Sequence, residues 1–334
     1  MNYGGVTLTG IEPRGVIDGG RVWLRGVGLP APPARDQSIS IGGAPARVVF
    51  AASDRVAVLV PSAAAPGRAA VRASWAPGAT LFVDVGARLA TGLHQVDSPV
   101  VGPGGWIYAT FSGSRGQETA VSVYRVTPGG DREAFVDGIV NATGLAISPD
   151  GTLHVSSRYD GVVYRITGDG RAQTMTADLG VACGLAFAPD GSLFVGDRSG
   201  TIHRVIEGGA RVEIFATLPP SVAAFHLAFG PDECLYVTAP TLATHDAVHR
   251  FDASGRHEVL DVSFGRPQGL AFDPHGVLHV VEALAGVSAV YRLDPGAARR
   301  AVVTGPGLIG VAFAPDGALL AATGDSVYRF PAAA

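Results

Sequence analysis

The chain has 334 residues, 47% of them hydrophobic and 16% charged, with a formal net charge of −4. That is enough apolar material for a buried core, which argues against disorder, and 25 basic against 29 acidic residues leave no basic field for a nucleic-acid partner. Every basic residue is arginine, so chemistry that needs a Schiff-base or general-base lysine is excluded.

Cys183 and Cys234 lack CxxC spacing and cannot build a disulfide framework. No apolar run approaches the roughly 18 residues that a membrane span needs, so no membrane partner is expected. The start, MNYGGVTLTG, has no charged segment followed by an apolar run, and a cytoplasmic protein is the default expectation. The 46 glycines and 23 prolines suit short strands joined by tight turns better than helices.

Residues 1–86 come first. Over 11–29 the chain alternates Val22 and Leu24 with polar neighbours and ends in the Gly26/Gly28 pair, the pattern of a half-buried strand and a turn. SISIGG (38–43), ARVVF (46–50), RVAVLVP (55–61) and AAVRAS (69–74) follow, each bounded by Gly, Pro or Ala-rich loops. Nothing in this stretch carries chemistry, and it predicts a small β module of short strands.

From residue 87 onward the sequence repeats. GLAISPDGTLHVSS (144–157) returns as GLAFAPDGSLFVGD (184–197), HLAFGPDECLYVTA (226–239), GLAFDPHGVLHVVE (269–282) and GVAFAPDGALLAAT (310–323). SPVVGPGGWIYATF (98–111) is a degenerate first copy. The prolines at 103, 149, 189, 231, 274 and 315 are separated by 46, 40, 42, 43 and 41 residues.

Each unit reads as four strands: an apolar run, a Pro-Asp-Gly turn, a second apolar run, a strand ending in an aromatic-Arg pair, and a short amphipathic strand such as REAFV (132–136). Four antiparallel strands per roughly 40 residues is a propeller blade. The last unit stops near Phe330 without a fourth strand, while LATG (89–92) looks like the fourth-strand ending VVTG (302–305). Residues 88–92 are therefore expected to complete blade six and close the ring. The expected fold is all-β: a six-bladed β-propeller over 87–334 behind an Ig-like β-sandwich over 1–86.

Propeller ligands sit over the central channel, among first-strand starts and the loops after second strands. Just before the Gly of GLAF, the six units carry Asp97, Thr143, Cys183, Phe225, Gln268 and Ile309. At the Gly itself stand Ser98, Gly144, Gly184, His226, Gly269 and Gly310. His226 puts a bulky titratable group where four units have none, which makes it a candidate general acid–base; a channel-filling histidine is the alternative.

Second strands end at Phe111, Ser157, Asp197, Ala239, Glu282 and Thr323. Glu282, before an apolar ALAGV loop, is a candidate base or metal ligand, and Asp197 a candidate substrate contact or a brace for its own loop. Arg158 and Arg198, from adjacent units, could clamp a carboxylate or phosphate. Gln268 and His245, the latter in a longer loop with Asp246, complete the substrate-binding candidates. His154, His203, His249, His257, His275 and His279 fall on structural positions of the repeat, and His94 lies near the ligand face. The insertion SGSRGQETA (112–120) is long enough to act as a lid.

The GLAF-PDG-LYV-D-YR pattern resembles NHL-type repeats and the gluconolactonase/regucalcin-like propellers over residues 87–331. The P-x-G, GG-x-V-x-L-x-G-x-G and V-x-V-P elements of 1–86 resemble the IPT/TIG Ig-like domain, which implies self-association or protein contact without catalysis. The propeller resemblance implies a lactone or ester hydrolase with one divalent cation, calcium first, polarising the substrate carbonyl.

Asp97, two residues before Pro99, stands at the family's first ligand, a Glu. Thr143, Cys183 and Gln268 stand where the family has an Asn, and Glu282 is the nearest substitute for a later Asp. A three-histidine zinc lyase would need histidines at several unit starts, and only His226 qualifies. Two readings remain open: an enzyme on a small polar molecule, hydrolase or metal-free lyase, and a non-catalytic propeller that binds a ligand or protein.

Overall fold

The computed structural model describes residues 6–30, 38–284 and 288–332. It is all-β apart from two single-turn 3-10 segments, Pro103–Gly105 and Glu207–Gly209, and no helix in it is long and apolar enough to cross a membrane. Residues 285–287 of the ALAGV loop lie outside the described residues.

The repeats form six groups of four antiparallel strands in chain order, five of them separate sheets and the fifth in order part of a larger one. Sheet one is Val100–Val101, Ile107–Thr110, Val123–Val126 and Arg132–Val136. Sheet two is Ala142–Ile147, Leu153–Ser157, Val162–Ile166 and Ala172–Thr176. Sheet three is Ala182–Phe187, Leu193–Asp197, Thr201–Ile206 and Arg211–Thr217. Sheet four is His226–Phe229, Leu235–Thr238, Asp246–Phe251 and His257–Phe264. Sheet five is Pro267–Phe272, Leu278–Glu282, Ala289–Leu293 and Arg300–Thr304. Sheet six is Leu308–Phe313, Leu319–Thr323 and Val327–Phe330, completed on its outer edge by Ala87–Ala90, which pairs antiparallel with Val327–Phe330.

The first strands touch in sequence. That of sheet two lies against three, three against four, four against five and five against six, while Val100–Val101 touches the first strands of both two and six. Burial follows from this circuit. Second strands such as Leu153–Ser157 and Leu278–Glu282 are covered on both faces and wholly buried. Fourth strands such as Ala172–Thr176 face solvent for most of their length. Continuous apolar runs near the centre and amphipathic ones at the rim are what such a gradient demands.

The repeat glycines are required by close approach. A Cβ on Gly144 would lie 2.2 Å from the carbonyl oxygen of Cys183, and one on Gly184 would lie 2.3 Å from that of Phe225. Each glycine thus lets one first strand press against the next. In the hairpin turns, Gly151, Gly191, Gly276 and Gly317 take φ between 77° and 83°. In sheet four Glu233 occupies that left-handed turn, at φ 59°.

The N-terminal segment forms two sheets over a shared core that includes Val22, Leu24, Ile41, Val58, Val71, Trp75 and Val83. One sheet orders Thr7–Glu12, Arg21–Val27, Arg55–Leu59 and Arg47–Ala51. The other continues sheet five: Gly15–Val16 pairs in parallel with both Val303–Thr304 and Asp84–Val85, making one nine-stranded sheet. Ile17, 1% exposed, plugs into the core of sheets five and six beside Val281, Leu308 and Phe330. Asp18 accepts from Arg88 Nη2 at 2.9 Å and from Tyr328 Oη at 3.0 Å. The sequence pattern did not single out Thr7–Glu12, Gly15–Val16 or Leu81–Val85 as strands, and the second and third carry the junction.

Candidate functional site

Sheets one and four stand three places apart in either direction round the circuit, so residues heading them face each other across its centre. His226 heads sheet four and Asp97 precedes sheet one, and they meet: His226 Nδ1 donates to Asp97 Oδ1 at 2.5 Å. Ser98 N donates to the same oxygen at 2.6 Å. Gln268, at the start of sheet five, places its side-chain Oε1 3.3 Å from His226 Nε2, an amide whose O and N ends can exchange by a turn, and is itself held by Thr238 Oγ1, which donates to its backbone carbonyl at 2.5 Å. A neutral imidazole that gives its Nδ1 proton to Asp97 has a lone pair on Nε2, and the NH2 end of the Gln268 amide is the end that satisfies it.

His226 is 1% exposed, Gln268 6% and Asp97 8%, with Thr143, Cys183 and Phe225 buried beside the same strand starts. Cys183 points its Sγ at the carbonyl of Val181, 3.3 Å away. Burial, with the negative charge of Asp97 adding to it, pushes its thiol up to about 12, so it stays protonated and unreactive near neutrality.

Above this buried set lie the arginines. Arg158 follows the second strand of sheet two and Arg198 that of sheet three. Their backbone amides bond back to the carbonyls of Asn141 (3.4 Å) and Val181 (3.1 Å), just before the adjoining first strands. The Arg198 guanidinium donates from Nε to the carbonyl of Ser221 and from Nη2 to that of Val222, both at 3.1 Å. Arg158 is half-buried, and burial first, then the neighbouring charges of Arg198 and Arg115, lowers its guanidinium from the ordinary arginine value.

The other candidates lie apart. Asp197 braces its own loop, accepting from Val181 N at 2.8 Å, from Ser199 N at 3.0 Å and from the Ser199 hydroxyl. Glu282 accepts from Gly265 N at 2.5 Å, in the link between sheets four and five, and pairs with Arg299 at 3.6 Å, and Arg299 in turn covers Phe264 and Tyr291. His245 is exposed in the 239–245 turn, where Asp246 accepts from the Thr241 hydroxyl at 2.8 Å. The 112–120 insertion is latched rather than free: Asn141 Nδ2 donates to the carbonyls of Ser112 (2.6 Å) and Ser114 (2.8 Å), and Asn141 Oδ1 accepts from Gly116 N at 2.7 Å.

These residues do not fit a calcium ion. Calcium takes six to eight oxygens, whereas the centre offers one carboxylate whose Oδ1 already accepts two protons, beside an imidazole and an amide. Among the described residues no three or more His, Cys, Asp or Glu side chains converge as a metal site. A cleft of about 1890 Å³ lies elsewhere, between the N-terminal sheets and sheets five and six, lined by residues such as Trp23, Arg21, Tyr291 and Arg300.

Sequence reasoning gave Asp97 and His226 separate roles and did not single out Asn141 or Arg115. The repeat alignment placed Asp97 and His226 at the starts of units one and four without pairing them. Asn141 carries no sequence signal; its left-handed backbone, at φ 50°, shows only in the folded chain.

No protein-family model matches the chain, and no curated protein matches it. Solved structures do match. One from Bacteroides thetaiotaomicron, a protein of unknown function, has a TM-score of 0.60 at 12% identity and covers 98% of each chain. A protein provisionally named a gluconolactonase has a TM-score of 0.59 at 20% identity, covering 73% of this chain and 90% of its own. A catalytically inactive histidine-to-alanine variant of virginiamycin B lyase from Staphylococcus aureus, solved with quinupristin, has a TM-score of 0.54 at 15% identity and covers 98% of this chain and 96% of its own. At these identities the likeness concerns the fold alone, and it makes this chain an all-β protein of propeller-like architecture.

Proposed function

We propose that the six sheets are the blades of a closed six-bladed β-propeller, that residues 1–86 are an IPT/TIG-type Ig-like module fused to its flank, and that the propeller is an acid–base enzyme acting on a small polar molecule at its centre. Lactone or ester hydrolysis is the favoured reaction. The observation that carries this reading is the buried His226–Asp97 pair joining opposite sides of the ring. A carboxylate on Nδ1 fixes the tautomer that leaves Nε2 as the base and stabilises the imidazolium once formed.

A ligand entering from the arginine side displaces Gln268 from Nε2. His226 then takes a proton from water as the water oxygen bonds to the substrate carbonyl carbon. The tetrahedral oxyanion collapses, the acyl C–O bond breaks, and the departing alkoxide takes the proton back from the imidazolium, giving acid and alcohol. Proton abstraction by the same Nε2 would serve a lyase instead. The inactivity of the histidine-to-alanine lyase variant among the structural neighbours suits a histidine-based chemistry on this fold. Arg158 and Arg198 are the substrate anchors, Asp197 a brace, and the N-terminal module a buttress and contact platform.

A second reading has its own observation. His226 is 1% exposed and both its ring nitrogens have partners, which suits a plug in a propeller that binds without turnover. A lactone and ester panel decides between them. Catalysis predicts turnover that falls on the order of 10²–10⁴-fold in kcat for His226→Ala and for Asp97→Asn, with KM nearly unchanged, and that survives a chelator. Turnover unaffected by either substitution removes His226 from the chemistry, and ligand binding with no turnover selects the binding propeller.

A further inference from the structure

We infer that Arg115, Arg158 and Arg198 form one anion site over the ring centre, assembled by Asn141, and that the ligand or substrate of this face is an anion, a carboxylate or phosphate. This names the substrate class of the proposed site and rests on that reading only for where the reacting part of the ligand lies.

The placement comes from the hydrogen bonds. Asn141 is fully buried at φ 50°, and its backbone carbonyl accepts from Arg158 N. Its side chain grips the residues on both sides of Arg115, at Ser114 O and Gly116 N. One residue, through its backbone and its side chain, therefore ties down the chain at two arginines that lie 43 positions apart in the sequence. Arg198 comes from the adjacent sheet with its guanidinium tied to Ser221 and Val222 carbonyls.

The electrostatics are one-sided. Among the described residues none of the three arginines makes an ion pair with a carboxylate. The charges that act on Arg158 are those of the two other arginines, and Cys183 beside it is held as a neutral thiol. Asp97 lies below, already engaged by His226 and Ser98, and Glu118 is exposed on the same insertion as Arg115. The third-strand arginines of the repeat differ: Arg125, Arg204, Arg250, Arg292 and Arg329 each reach an acid. Arg158 is half-buried and Arg115 exposed, and the charges of Arg198 and Arg115 both act on Arg158; a bound anion relieves that repulsion, and bidentate guanidinium geometry suits planar carboxylate and phosphate oxygens.

The test is calorimetric titration of the full chain at low ionic strength with inorganic phosphate and, separately, malonate. Wild type is expected to bind at least one of them at a single site, and the arm that binds more tightly identifies the anion class. Arg158→Gln is expected to weaken binding about tenfold or more, as loss of a charge-assisted contact does. Asn141→Gly keeps the left-handed backbone but removes the amide clamp, and is expected to weaken binding comparably while melting cooperatively. His226→Ala is expected to retain binding, which separates this inference from the proposed catalysis. Saturable binding untouched by Arg158→Gln and Arg198→Gln, or no binding of either anion by wild type in the millimolar range, overturns it.

Discussion

Replacing Gly184 with alanine tests whether the ring is as tight as its glycines imply. The added Cβ would sit 2.3 Å from the Phe225 carbonyl oxygen and 3.0 Å from Leu227 Cδ1, where ordinary contact begins at 3.4 Å. The nearest atom belongs to the backbone of the next sheet, so the two first strands must separate by about 1 Å (3.4 less 2.3). That motion strains the Gly184 N–H bond to the Phe225 carbonyl, now 2.9 Å. Overpacking costs about 1–3 kcal/mol and a weakened buried hydrogen bond about 1 more, against roughly 0.4–1 regained from a stiffer unfolded chain. The net expectation is a loss of about 2–3 kcal/mol, or about 4–12 °C in Tm at roughly 2–4 °C per kcal/mol. Gly78, exposed, with nothing within 4 Å of its would-be Cβ, is the control, and Gly78→Ala should leave Tm nearly unchanged. Thermal melts followed by circular dichroism make the measurement. Equal melting temperatures for Gly184→Ala and Gly78→Ala would refute the argument that close strand approach fixes the repeat glycine.

Ile17→Ala should cost about 2–5 kcal/mol, as deletion of a buried Ile side chain does, and lower one shared melting transition; a separate early transition for residues 1–86 would contradict the fused junction. His226→Ala strands a buried carboxylate that keeps only its Ser98 contact, and should cost about 2–4 kcal/mol without unfolding the chain. A double-mutant cycle with Asp97→Asn should return a coupling of about 1–3 kcal/mol, and additive effects would deny the pair. His249, burial-shifted down to about 4 with His257 adding to the shift, is neutral when folded. Its unfolded form takes up protons first, so stability should fall as pH drops from about 6.5 to about 4. His249→Tyr, which restores the residue found at that place in four other repeats, should shrink the loss of Tm between neutral and acid pH; an unchanged loss rules His249 out as its source. The Cys183 thiol should resist alkylation at pH 8 in the native protein and react after denaturation, as read by mass spectrometry.

The repeat made the all-β class and the propeller-like sheets legible from sequence alone, because each strand's environment repeats with it. A first or second strand lies between neighbouring sheets and must be apolar on both faces, a tight turn demands a left-handed residue, and a close-packed first strand demands glycine. Departures from the repeat marked His226, Asp97, Gln268 and the arginines as residues to weigh. The sequence did not reveal who meets whom. Asp97 and His226 are 129 positions apart and become partners only because the first strands touch in a circuit that brings the starts of sheets one and four together. Glu282 and Asp197 hold equivalent places in the repeat, yet one is turned to Gly265 and Arg299 and the other to its own loop. Strand periodicity fixes which face a side chain takes; the bond it makes there depends on loops that the repeat does not constrain. The arginine cluster is the clearest case, since Asn141, a residue without a pattern, sets two of its members through hydrogen bonds that exist only in the folded chain.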